Sequence, residues 1–153
     1  MKNKKFLNTL FIIFFLSIVN STFADEIIFE TPEIQYFENG KIITADQGGK
    51  ALINKSSEII ADSFKYNKET TVLTAKGNVE IYDNLNNIVT RSNKVIYQKN
   101  LEKYFSEGKT NIIIENKYII NSKNVILLLK ENLLSSTERT AVDDSDNNFY
   151  VAD

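Results

Sequence analysis

A period of about thirty residues constrains this chain more than any other feature of its sequence. The segments Thr31 to Tyr36, Ala61 to Tyr66, Ser92 to Tyr97 and Ser122 to Leu127 align at steps of 30, 31 and 30 residues. Each begins with a small or hydroxyl residue, places an apolar residue three positions later, and an aromatic or leucine two after that. A second block follows at a fixed distance in every copy: Ile42-Ile43-Thr44-Ala45, Val72-Leu73-Thr74-Ala75, Lys103-Tyr104-Phe105-Ser106 and Leu133-Leu134-Ser135-Ser136. Gly48-Gly49, Gly77-Asn78 and Gly108-Lys109 close the first three copies, and Glu138-Arg139 stands there in the fourth. Ala152-Asp153 falls in register with Ala61-Asp62, so the expectation is a fifth copy cut off as it begins. Repetition at this period marks stacked supersecondary units, none of which can bury its apolar face alone.

The units are strands. Phe64 and Tyr66 share one face of a period-2 pattern, Leu73, Ala75, Val79 and Ile81 share another, and Tyr104, Ile112 and Ile114 repeat it in the third copy. Polar breaks at 68 to 70 and 84 to 87 supply turns. Val125 to Leu134 is ambiguous by itself, and its match to the earlier copies makes it strand. The alternation also changes parity within a segment: Ile59 and Ala61 are odd, Phe64 and Tyr66 even. The same change separates Thr90 and Ser92 from Val95 and Tyr97, and Ile120 and Ser122 from Val125 and Leu127. Such a change requires a bulge or corner at the small-polar pair. A corner in every copy folds each across two facing sheets, at about 4.8 Å per added rung. The fold expected is therefore all-β: an open-ended two-sheet β-sandwich or jelly roll whose terminal rungs are unpaired edges, open to strand addition from another chain.

The first 24 residues stand apart. Lys2, Lys4 and Lys5 precede an apolar run from Phe6 to Val19, and Thr22-Phe23-Ala24 offers a cleavage site, which together read as a secretory signal peptide. A membrane anchor needs a slightly longer run. The mature chain, residues 25 to 153, suits one domain. It carries 15 Lys+Arg, the total of 18 less the three in the leader, against 20 Asp+Glu, a net charge of −5. That balance argues against nucleic acid as a partner. Cysteine and histidine are both absent. No disulfide, thiolate metal site or Ser-His or Cys-His nucleophile can be built without them. No cofactor and no metal site is expected, and no pair of carboxylates repeats at a spacing that suggests glycoside hydrolysis.

The stretch Ile59 to Tyr97 resembles the OstA-like domain of lipopolysaccharide-transport proteins. The resemblance rests on Ala61-Asp62, Tyr66, Thr74-Ala75-Lys76-Gly77-Asn78-Val79, and Ser92-Asn93 with Tyr97, and it extends loosely over residues 29 to 130. Ser92-Asn93 and Ser122-Lys123 depart from the family's Ala-Asp. Resemblance implies a twisted β-jelly roll whose apolar trough shields lipid A acyl chains in the periplasm. The implied partners are lipopolysaccharide and other OstA-like jelly rolls stacked edge to edge. The tail, from Thr140 to Asp153, looks most like the periplasmic domain of the family's outer-membrane assembly member LptD. That likeness adds an outer-membrane β-barrel as a partner and a location at the outer membrane. It also implies a carrier, not an enzyme.

Twelve residues are candidates to line the trough: Phe64, Tyr66, Leu73, Val79, Ile81, Val95, Tyr97, Tyr104, Ile112, Ile114, Val125 and Leu127. Periodicity alone reads them as ordinary sandwich core, and the resemblance reads them as lipid-binding. Gly77-Asn78 reads as a bulge device, and Asp143-Asp144-Ser145-Asp146 as a solvated loop lacking the ligand spacing of a calcium site. The competing architecture is an exported β-solenoid, as in surface and adhesin-type proteins.

Overall fold

The computed structural model describes residues 26 to 152 apart from Asn132 and Asn147. The expected signal peptide and Asp153 lie outside the described residues. Among the described residues fourteen strands form one hydrogen-bonded system, antiparallel at every pairing. They are β1 (Ile28–Glu30), β2 (Gln35–Phe37), β3 (Ile42–Ala45), β4 (Gly49–Leu52), β5 (Ser57–Ala61), β6 (Ser63–Asn67) and β7 (Val72–Asp83). After these come β8 (Ile88–Gln98), β9 (Lys103–Ile114), β10 (Tyr118–Lys123), β11 (Ile126–Leu128), β12 (Leu133–Ser135), β13 (Thr140–Asp144) and β14 (Phe149–Ala152). A solenoid stacks its coils through parallel pairing, so the antiparallel ladders exclude the competing architecture.

The long strands β7, β8 and β9 each run through both layers. One layer has the order β1-β4-β5-β7-β8-β9-β10-β13-β14; the other runs β2-β3-β6-β7-β8-β9-β11-β12. In the outer copies the same path is broken at the corner, so β5 and β6, or β10 and β11, are two halves of one bent strand. Each copy of thirty residues is thus a pair of bent strands, and the result is the expected open-ended β-jelly roll.

The corners follow from the parity changes. The register between β7 and β8 shifts between Lys76 and Val79, and that between β8 and β9 shifts at Ser92/Lys94. The descending strands change parity there, and the ascending strands β7 and β9 insert an extra residue and keep theirs. Gly77 (φ +75°) and Asn78 (φ +45°) take the left-handed backbone this bulge needs. A side chain at Gly77 would also collide with Asp62, whose Cβ lies 2.8 Å from where the new carbon would sit. Asp62 N–H donates to the Gly77 carbonyl at 3.0 Å, and Asn78 Nδ2 donates to the Asp62 carboxylate at 2.9 Å. The Ala61-Asp62 and Gly77-Asn78 pairs are therefore the two sides of one corner: Ala61 is buried inside it and Asp62 clamps it outside.

Candidate functional site

Among the described residues the space between the two layers is an extended apolar region to which every copy contributes, and its lining changes along the stack. Towards the N-terminal end it is closed. Ile59, Leu73, Ala75, Val79 and Val95 are at most 1% exposed and belong to one packed cluster with Ile27, Ala51 and Phe64. Phe29 meets Phe64 edge-on at 5.8 Å and Tyr66 at 6.3 Å. Tyr97 stacks on its register partner Tyr104 with ring centres 4.5 Å apart, joining β8 to β9 across the middle of the molecule. Such pairs add about 0.5–1.5 kcal/mol beyond the area they bury.

Towards the C-terminal end the interior loosens. Ile112, Val125 and Leu127 are buried, but Ile114, Ile120, Leu129, Leu134 and Val142 are only half-buried. One layer ends at the three-residue β12, and the other continues through β13 to β14, so among the described residues nothing faces its last strand. β14 accordingly exposes Phe149, Tyr150 and Val151. Eleven of the twelve residues expected to line the interior are buried between the layers, and Ile114 is half-buried at the looser end.

Sequence reasoning did not single out the polar content of that interior. Ser92 and Thr110 are register partners, as are Thr110 and Ser122, and all three are buried. Thr110 Oγ1 donates to Ser106 Oγ at 2.7 Å, and the Ser122 and Thr140 hydroxyls meet at 2.8 Å. The corner that is alanine and valine at Ala61 and Val79 has become a row of hydroxyls four strands wide. The signal was present in the repeat, whose first position is Ala61 in one copy and Ser92 and Ser122 in the next two. Among the described residues, two buried side-chain oxygens have no hydrogen-bond partner: Thr90 Oγ1 and Tyr104 Oη. Burial, more than the neighbouring Tyr97, raises Tyr104 well above the usual tyrosine range. Burial also pushes Tyr97 up to about 12, with Glu102 and Tyr66 adding to it. Both phenols are neutral at physiological pH and present hydrocarbon faces to the interior.

The remaining expectations resolve as structure. Lys123 occupies the position of Asp62, and the clamp moves to the next residue: Asn124 N–H donates to the Gly108 carbonyl at 3.1 Å, and Gly108 N–H donates to Asn124 Oδ1 at 3.0 Å. In the fourth copy, which has no glycine, Ser136 Oγ donates to the Lys123 carbonyl at 2.7 Å and accepts from Glu138 N–H. The acidic run closes the turn between β13 and β14. Asp144 accepts the backbone N–H groups of Asp146 and Asn148 at 2.9 Å each. The hydrogen bonds from Asn148 hold its carboxyl below the ordinary range. Among the described residues no group of three acidic side chains is placed to hold a metal ion. An interior of this kind can exclude water from hydrocarbon.

No protein-family model matches the chain, and no curated relative matches it. Among solved structures it is similar to LptH of Pseudomonas aeruginosa, the LptA-homologous periplasmic component of the lipopolysaccharide transport device. The two share 8% identity with a TM-score of 0.61, over 84% of this chain and 94% of that one. The likeness shows the fold, an LptA-like β-jelly roll.

Proposed function

We propose that this chain is a non-catalytic carrier of lipopolysaccharide across the periplasm, shielding lipid A acyl chains between its two sheets. The observation that carries the reading is an apolar interior left part-open at its C-terminal end, in a fold shared with a periplasmic lipopolysaccharide-transport component. Each methylene withdrawn from water is worth about 0.8 kcal/mol. An acyl chain of a dozen carbons therefore costs roughly 10 kcal/mol to carry exposed. The residues Ile112, Ile114, Val125 and Leu127 receive the chains first. Phe64, Tyr66, Leu73, Val79, Ile81, Val95, Tyr97 and Tyr104 continue the same layer, and the sheets must part there to admit a guest. Residues 1 to 24 act as a removable signal peptide, which sets the mature domain, 25 to 153, in the periplasm.

The edges supply the partners. Among the described residues β1 and β2 end the stack on one side, β12 and β14 on the other, and each has a ladder partner on one side only. Unpaired edges favour β-addition, so other OstA-like jelly rolls dock there and extend the interior from one domain to the next. The Thr140 to Asp153 tail supports a place within an LptD-type periplasmic domain, joined to an outer-membrane barrel.

The test is binding of lipopolysaccharide to the purified mature chain, with competition by the same glycan stripped of its acyl chains. Saturable binding that the stripped glycan does not displace is expected. Displacement by stripped glycan as effectively as by intact lipid would remove the interior from the mechanism.

A further inference from the structure

The outer face of the sheet carries a charge pattern that packing does not explain. Lys109 on β9 and Lys123 on β10 are direct register partners. Continuing the register of Asn121 with Ala141 places Arg139, just before β13, opposite Lys123. Lys109 and Lys123 thus stand side by side across adjacent strands, where like charges repel each other, and Arg139 follows next in the row. Among the described residues neither lysine takes part in an ion pair. Elsewhere on the sheets the same kind of position is neutralised: Lys50 lies 3.0 Å from Glu58, Lys94 2.6 Å from Glu107 and Arg91 3.1 Å from Glu80. At the equivalent corner of the second copy the outward pair is Asp62 and Asn78, joined by a hydrogen bond.

The row also lines a hollow. Lys109, Lys123 and Arg139 border a depression of about 510 Å³, together with Arg91, Asn93 and Asn121. Glu80 also borders it and is occupied by Arg91 and Tyr82. Concave, cationic and rich in amide groups, the surface has the donor set of an oxyanion site. Three neighbouring strands span about 10 Å, wider than one carboxylate and suited to a diphosphate or to two phosphates on one molecule. Nucleic acid does not fit, because three cations on a domain of net charge −5 offer no continuous track for a backbone.

We infer that this depression binds a phosphate-bearing anion with at least two negative charges, held chiefly by Lys109 and Lys123. It stands on the outer face, makes no use of the apolar interior, and can be tested without any acyl chain.

Titrating the full chain with inorganic pyrophosphate at low ionic strength, read by backbone amide shifts, tests the site directly. Saturable shifts confined to residues 109 to 111, 121 to 123 and 139 are expected. The Lys109→Gln/Lys123→Gln variant should weaken binding at least about tenfold, because charge-assisted bonds are the strong ones. Lys65→Gln, a surface control on β6, should bind as the parent does. The double variant should also gain thermal stability without the anion and lose the stabilisation that pyrophosphate gives the parent. Flotation with phosphatidylcholine vesicles containing phosphatidic acid identifies the source of the phosphate. Flotation that pyrophosphate reverses means a lipid headgroup, and pyrophosphate binding without flotation means a soluble phosphate. Non-saturable shifts scattered over surface lysines, or parent-like binding of both probes by the double variant, would overturn the inference.

Discussion

The second and the fourth copies of the repeat are the same design carried to different ends. In the second, β5, β6 and β7 close around Ile59, Leu73, Ala75 and Val79, all at most 1% exposed. Its corner is lined by Ala61 and Val79 and clamped by Asp62 on Gly77. In the fourth, β12 and β13 leave Leu134 and Val142 half-buried, a row of hydroxyls replaces the apolar corner, and Ser136 replaces the glycine clamp. One copy is flanked by neighbours on both sides and the other approaches an edge. A repeat protein distributes its stability through such nearest-neighbour contacts. The closed copy anchors the fold, and on the proposed carrier function the looser copy is where a guest would enter at small cost to folding.

Truncations would break that comparison most sharply. Leu73→Ala empties a fully enclosed site and should cost about 3 kcal/mol in denaturant unfolding. Leu134→Ala, at a half-buried position, should cost about 1 kcal/mol. Equal losses would mean that the two ends are packed alike. The corners give a second contrast. Gly77→Ala meets Asp62, whereas an alanine carbon at Gly108 has nothing within 4 Å. Both carry positive φ, so Gly108→Ala should cost about 1 kcal/mol and Gly77→Ala about 2 to 3.

Removing the unpartnered Tyr104 hydroxyl should act the other way. Tyr104→Phe is expected to stabilise the chain by about 1 kcal/mol, because a buried oxygen without a partner costs its desolvation. A loss would reveal a partner for that hydroxyl. The smallest effect is confined to alkali. Tyr97 is raised to about 12 when folded, against about 10 unfolded. Its contribution is therefore complete below pH 10 and is lost as the pH climbs towards 12. Tyr97→Phe should flatten that decline and leave the profile below pH 9 to 10 unchanged.

Much of this was legible beforehand, for a physical reason. Alternation is a property of the backbone, so the parity change between Ala61 and Phe64 already required a corner, and the period of thirty required its repetition. The same alternation placed the twelve interior residues on one face. It could not say how tightly that face would close, because closure depends on what stands opposite, and among the described residues no strand faces β14. Nor did identity at aligned positions reveal the clamp: Lys123 aligns with Asp62, yet Asn124 does the work one residue later. The cationic row was the least visible, since Lys109, Lys123 and Arg139 are far apart in sequence and become neighbours only through the β9-β10-β13 register.

Photo-crosslinking in cells tests the carrier reading most directly, because adjacent residues on one strand sample opposite faces. Tyr104 and Leu127 face the interior, and Phe105 and Ile126 face away from it. With a crosslinker at each position in turn, lipopolysaccharide adducts are expected at Tyr104 and Leu127, strongest at Leu127 near the looser end, and absent at Phe105 and Ile126. Adducts that favour the outward pair, or none at any of the four while a known carrier in the same cells is labelled, would contradict it.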